Sequence, residues 1–127
     1  MIVRSIENLA GTDRDVRGDG WRSLRVLRQD DGMHYSLHVT ELRAGAELEL
    51  RYEHHLEANL CLEGEGTVVD VATGAEHTLG PGVLYALEKH DHHRLHAMTD
   101  MRLVSVFWPA LTGSERHNER GGYDPSD

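Results

Sequence analysis

The chain is short of several things at once. Among its 127 residues are one cysteine, one phenylalanine and three prolines, and aromatic residues make up only 6%. The lone Cys61 excludes an intrachain disulfide, which agrees with a reducing compartment. No apolar run approaches the roughly 20 residues of a membrane-spanning helix. The opening MIVRSIENLAGTDRD lacks the apolar core of a signal peptide. A cytoplasmic location without a membrane partner is therefore expected. Positive charge is scarce too, with 13 basic against 22 acidic residues and a formal charge of −9. Nucleic acids and anionic membranes select basic patches, so neither is an expected partner.

Sustained helical periodicity is also missing, apart from one turn of helix near residues 6–10. What is present is alternation. Residues 21–28 alternate and end in the turn QDDG. Over residues 33–42, Met33, Tyr35, Leu37 and Val39 share one face, and His34, Ser36, His38 and Thr40 the other. Further strand-like runs cover 48–52, 56–63, 67–72, 77–79, 83–87, 94–97 and 101–108, with turn signals such as TGA and GPG between them. Short strands at this spacing indicate a sandwich or barrel. The length suits one domain, 1–127, with a single core. From about Gly113 the chain turns polar, and its end, ERGGYDPSD, reads as a flexible C-terminal tail able to act as a lid.

The stretch HHLEANLCLEGEG, residues 54–66, raises the functional question. Leu56, Ala58, Leu60 and Leu62 alternate with Glu57, Asn59, Cys61 and Glu63. A Glu57 that faces water is ordinary, whereas a Glu57 that faces a barrel interior needs a partner for its charge. Taken locally, either is open. In the same way Tyr85 reads as a core aromatic, Arg25 as a surface charge, and Trp21 and Phe107 as core. Six of the ten histidines lie between residues 77 and 117. Of these, His77, His90, His92 and His96 read as exposed, while His54 and His55 compete with Glu57 as ligands.

Spacing narrows the choice. Gly45 is followed after five residues by Arg51, after one more by Glu53, after three by Glu57 and after six by Gly64. Seventeen residues further on, Gly82 is followed after five by Glu88, after one by His90 and after two by His93. This register resembles the two motifs of the cupin superfamily. The resemblance implies an all-β fold, a cupin-type, jelly-roll-like β-barrel. The usual metal-binding histidines of the first motif are replaced here by Arg51 and Glu53. Within the superfamily, the segments MIVRSIENLAGTDRDV, DDGMHYSLHVTELRAG, HHLEANLCLEGEG, PGVLYALEKHDHH and MRLVSVFWPALTG resemble the ectoine synthase family over nearly the whole chain.

That resemblance implies an iron(II) ion held by Glu57, Tyr85 and His93. It implies a substrate, N-γ-acetyl-2,4-diaminobutyrate, that is cyclised with loss of water to the compatible solute ectoine, and a homodimer. Trp21, Arg25, Thr40, Tyr52 and Phe107 match substrate-binding positions. Tyr52, Glu115 and His117 match positions for acid–base work. Arg25 suits a substrate carboxylate, since a guanidinium clamps one through two hydrogen bonds. The chain departs from the family's pattern at Ser105, where cysteine is usual, at Arg94 and Trp108, at Asn59 and Leu60, which replace a more apolar pair, and at Asn118 and Arg120 in the tail. These departures leave room for a related amino-amide substrate or for a solute-binding cupin without catalysis.

Overall fold

The structure is a computed structural model that describes residues 1–113, 117, 122 and 123. Ten strands carry it: β1 (Asp15–Gly18), β2 (Trp21–Leu27), β3 (Ser36–Leu42), β4 (Glu47–Leu50), β5 (Leu56–Glu63), β6 (Gly66–Asp70), β7 (Glu76–Leu79), β8 (Leu84–Leu87), β9 (His93–Ala97) and β10 (Met101–Trp108). They form a six-stranded sheet in the order β1-β2-β3-β10-β5-β8 and a four-stranded sheet in the order β4-β9-β6-β7. All the pairings are antiparallel. From β4 onward the chain crosses repeatedly between the sheets, which makes the jelly-roll-like barrel. Among the described residues no helix is long and apolar enough to cross a membrane.

Alternation decides which face each strand turns inward. On β10, Met101, Leu103, Ser105 and Phe107 are buried, while the residues between them are not. On β5 the buried set is Glu57, Asn59 and Cys61; Leu60 and Leu62 are exposed. The polar face of this strand is therefore the inner one. Its apolar face, with Leu84 of β8 and Trp108 of β10, lies on the outside of the larger sheet. Elsewhere on that outer surface Leu24 and Val39 are covered by Leu9, from a single 3₁₀ turn at Ile6–Leu9. The interior is apolar at one end, where Leu42, Leu79, Leu95 and Leu103 meet Cys61. Each fully buried leucine there contributes roughly 1.5–3 kcal/mol.

All three spaced glycines have a backbone reason to be glycine, and Gly45 has a φ of +86°. Gly64 and Gly82 both have φ of +87°, a region that L side chains rarely adopt. At Gly64 an added Cβ would also collide with the Asp100 carbonyl, so the β5–β6 turn packs directly on the chain entering β10. Two expectations from the sequence change. The alternation at Met33–Tyr35 does not become strand, because His34 takes a φ of +68° and β3 begins at Ser36. The strand β1, paired in a hairpin with β2, was not expected; with Val16 its only buried residue, it carries too little alternation to read.

Candidate active site inside the barrel

The cross-strand register lines up five inward side chains from five strands. Arg25 on β2 pairs with His38 on β3, His38 with Ser105 on β10, Ser105 with Asn59 on β5, and Asn59 with Tyr85 on β8. The next inward row runs from Ser36 through Phe107 and Glu57 to Leu87. From the facing sheet comes His93, opposite Leu50 on one side and Asp70 on the other. A cavity between the sheets is lined by Trp21, Thr40, Tyr52, Glu57, Tyr85, Phe107 and His117, together with Ser23, Asn59, Ser105 and Tyr123. Tyr85 also borders an adjoining cavity with His93. A roomier groove lined by Arg17, Arg22, Arg43 and Arg102 is open to the surface and touched by none of Glu57, Tyr85 and His93. The chemistry is therefore assigned to the interior.

The tautomer of His93 follows from its partner. Its Nδ1 lies 2.9 Å from the Asp91 carbonyl oxygen, which can only accept, so Nδ1 carries the proton. Nε2 is left with a lone pair, buried and without a hydrogen-bond partner among the described residues. Burial lowers the pKa of His93 and keeps the ring neutral. A neutral histidine whose other ring nitrogen is anchored to a carbonyl is the arrangement that metal-binding histidines use.

Glu57 and Tyr85 are the other two candidate ligands. Burial raises the Glu57 pKa to about 8, and the neighbouring Asn59 side chain pulls it the other way. The Tyr85 phenol is pushed well above 10, first by burial and then by the Glu57 carboxylate. The Tyr85 and His93 ring centroids are 6.3 Å apart. Among the described residues, no three or more His, Cys, Asp or Glu side chains are grouped to hold an ion. Two donors of those types and one phenol do fit, because a cation reverses the desolvation that keeps both acids protonated.

The remaining site residues surround this trio. The Tyr52 hydroxyl lies 3.0 Å from His117 Nε2, and the His117 ring is 5.1 Å from Trp21. Burial first, then Arg25 and His93, take the His117 pKa down to about 4. Tyr123 stacks on His117 at 4.9 Å and on Tyr52 at 5.2 Å. Arg25 is fully buried and donates from Nε to Ser23 Oγ at 3.0 Å. His38 bridges Ser23 and Ser36, at 3.0 Å to each hydroxyl. His90 is a structural residue: its ring Nδ1 donates to the Tyr52 carbonyl at 2.7 Å. His54 is exposed, whereas His55 is buried edge-on to Phe107. Glu115 lies outside the described residues. The sequence offered Tyr123 only as one aromatic in a polar tail, and His38 only as a member of the polar face of a strand.

A family model described as ectoine synthase matches residues 1–127. An L-ectoine synthase of Sphingopyxis alaskensis is 53% identical over 127 residues, covering 100% of this chain and 92% of that protein. One of Hyphomonas neptunium is 49% identical, covering 100% and 95%. The crystal structure of an ectoine synthase from P. lautus superposes with a TM-score of 0.89 at 43% identity, covering 95% of this chain and 87% of that one. An RmlC-like cupin from Shewanella frigidimarina, 22% identical with a TM-score of 0.63 over 76% of this chain and 82% of that one, shares the fold alone.

His38 gives the interior a pH dependence. Burial, and secondarily Arg25, hold its pKa well below 6.5. As pH falls through about 6.5, the unfolded chain takes up a proton on this residue that the folded chain refuses. Stability present above that pH is therefore lost below it, with a slope of up to about 1.4 kcal/mol per pH unit. Urea unfolding at pH 7 and pH 5.5 is expected to show a smaller loss for His38→Gln than for the unsubstituted protein. Equal losses would contradict a neutral, buried His38.

Proposed function

Because the chain belongs to the ectoine synthase family, and so is a lyase acting on a small molecule, we propose that its barrel binds iron(II) through Glu57, Tyr85 and His93. There it closes N-γ-acetyl-2,4-diaminobutyrate into the ring of ectoine. The observation that carries this reading is the buried His93 Nε2, without a hydrogen-bond partner among the described residues, in an interior that also holds two buried acids. When bound, the ion supplies a Lewis acid that draws charge onto the substrate's acyl oxygen.

The chain's own residues do the rest. Arg25 holds the substrate carboxylate at the β2 side of the barrel, and the Ser23 hydroxyl at its Nε sets the tilt of the guanidinium. Trp21, Tyr52 and Phe107 wall the cavity and fold the substrate so that its α-amine meets its own acyl carbon. Orientation of this kind is worth roughly 7–11 kcal/mol in favourable cases. Thr40 lines the same cavity with its hydroxyl on Ser105. A neutral His117, in contact with the Tyr52 hydroxyl, is placed to take a proton from the amine. Tyr52, its own pKa raised well above 10 chiefly by burial, keeps a proton to give. Glu115 is assigned to the same acid–base work on family resemblance alone.

The exposed apolar face of β5 and β8 is proposed to pair with a second copy in a homodimer, since exposed patches of this kind mark interaction sites. We place the enzyme in the cytoplasm, where the buried free thiol of Cys61 stays reduced.

Incubating the protein with iron(II) and N-γ-acetyl-2,4-diaminobutyrate is expected to yield ectoine by NMR. Full iron occupancy without turnover would overturn the assignment. Glu57→Ala, Tyr85→Ala and His93→Ala should each lose metal and activity together, and a Tyr85 variant that keeps all its iron would refute the phenol as a ligand. For the dimer, light scattering should give twice the chain mass, with the double variant Leu60→Asp and Leu84→Asp shifted to monomer; a monomeric unsubstituted protein at micromolar concentration contradicts it.

A further inference from the structure

Two departures from the family's pattern, Asn59 and Ser105, are 46 positions apart in sequence and touch inside the barrel. Ser105 Oγ lies 2.5 Å from Asn59 Oδ1 and 2.8 Å from Thr40 Oγ1. A serine hydroxyl has one hydrogen, and the amide oxygen can only accept, so that hydrogen goes to Asn59. Thr40 must then donate its own to Ser105. The chain of donors runs one way, Thr40 to Ser105 to Asn59, and it ends with the amide oxygen occupied. The amide nitrogen is thereby turned away from Ser105.

That nitrogen is the unusual atom. Asn59 is 2% exposed, and its Nδ2 makes no close hydrogen bond among the described residues; the Glu57 carboxyl, whose charged form the amide favours, takes at most one of its two N–H groups, and the other is unmet. The amide favours the charged form of the Glu57 carboxyl, which only a hydrogen-bond donor does, so its nitrogen is the atom on that side. The orientation with Nδ2 on that side is thus favoured on both counts. Asn59 lines the cavity, with Glu57 two residues away on the same inner face and Tyr85 its cross-strand partner. A buried amide donor left unmet is destabilising, so a ligand with an acceptor at this place is favoured over one with a methyl group there.

We propose that Asn59 is a catalytic hydrogen-bond donor, whose side-chain N–H meets the substrate's acyl oxygen, and that Ser105 and Thr40 are the positioning residues that aim it. This rests on the reaction proposed above. Arg25 stands three strand spacings from Asn59 along the same row, roughly 14 Å of sheet at about 4.8 Å each. An outstretched arginine and a short N-acetylated diamino acid bridge that distance together, with the carboxylate at one end and the acyl oxygen at the other. When the amine attacks, a C–N bond forms and the carbonyl π pair moves onto oxygen. Asn59 stabilises that charge without giving up its proton. The two hydrogens of the amine then leave with the oxygen as water, the C–O bond breaking as the amine nitrogen's electron pair closes the C=N bond of the ring. A donor fixed before the charge develops needs no reorganisation when it does.

The test compares the natural substrate with its thioamide, in which the acyl oxygen is replaced by sulfur, a weaker hydrogen-bond acceptor. In Asn59→Leu, kcat is expected to fall by about 10²-fold or more, the usual effect of losing one such donor, with KM changed only a few-fold and iron content unaltered. The preference for oxygen over sulfur should fall by a comparable factor. Ser105→Ala should shift both quantities the same way by a smaller factor, and it serves alone if Asn59→Leu does not fold. Unchanged kcat and an unchanged oxygen-to-sulfur ratio, with iron bound, overturn the proposal. So does loss of iron in Asn59→Leu, which would make Asn59 a support for Glu57 instead. If the unsubstituted protein itself fails to turn over the natural substrate, the reaction assignment has failed, and this inference falls with it.

Discussion

A carboxyl group taken out of water cannot keep its charge without a positive partner, and the interior of this barrel is arranged around that constraint. Glu57 is inward and buried, and burial alone would leave it protonated near neutral pH. The phenol of Tyr85 is under the same pressure. From the facing sheet, His93 keeps an Nε2 lone pair with no hydrogen-bond partner among the described residues, because its ring proton is committed to the Asp91 carbonyl. The cation proposed above would relieve all three conditions, since Glu57 would hold it as a carboxylate, Tyr85 as a phenolate and His93 through its Nε2 lone pair. Two oxygen donors and one nitrogen donor suit the iron(II) proposed for this site.

The same constraint explains the inverted pattern of the larger sheet. Its inner face carries Arg25, His38, Ser105, Asn59 and Glu57, groups that most proteins keep outside, and its outer face carries Leu60, Leu62 and Leu84. Hydrogen bonds among the inner groups offset much of the cost of burying them: Arg25 on Ser23, Ser23 and Ser36 on His38, Thr40 on Ser105, and Ser105 on Asn59. Ser36 also accepts from the Leu111 backbone at 3.0 Å, which ties the segment after β10 to the interior. A polar interior weakens the case for a monomer, since apolar surface that does not go inward must be covered elsewhere.

Much of this was legible in the sequence because it is local. Alternation puts Glu57 with Asn59 and Cys61 on one strand face and Ser36, His38 and Thr40 on another, and the cupin resemblance, carried by the intervals from Gly45 to Gly64 and from Gly82 to His93, turns those faces inward. Other features are set by register between strands that are distant in sequence. Nothing near Asn59 or Ser105 says that they face each other; that follows from β10 inserting between β3 and β5. Tyr123 lies in a polar segment without periodicity, so its burial against Tyr52 and His117 has no local sign. The strand expected at Met33–Tyr35 failed because alternation does not report a left-handed residue, here His34.

Anomalous diffraction at the iron edge, from crystals of protein loaded with one equivalent of iron(II), tests the central claim most directly. The account predicts a single strong peak inside the barrel, within bonding distance of a Glu57 oxygen, the Tyr85 hydroxyl and His93 Nε2. A peak among the turn histidines His90 and His92, or an interior without iron while the protein still makes ectoine, would contradict it.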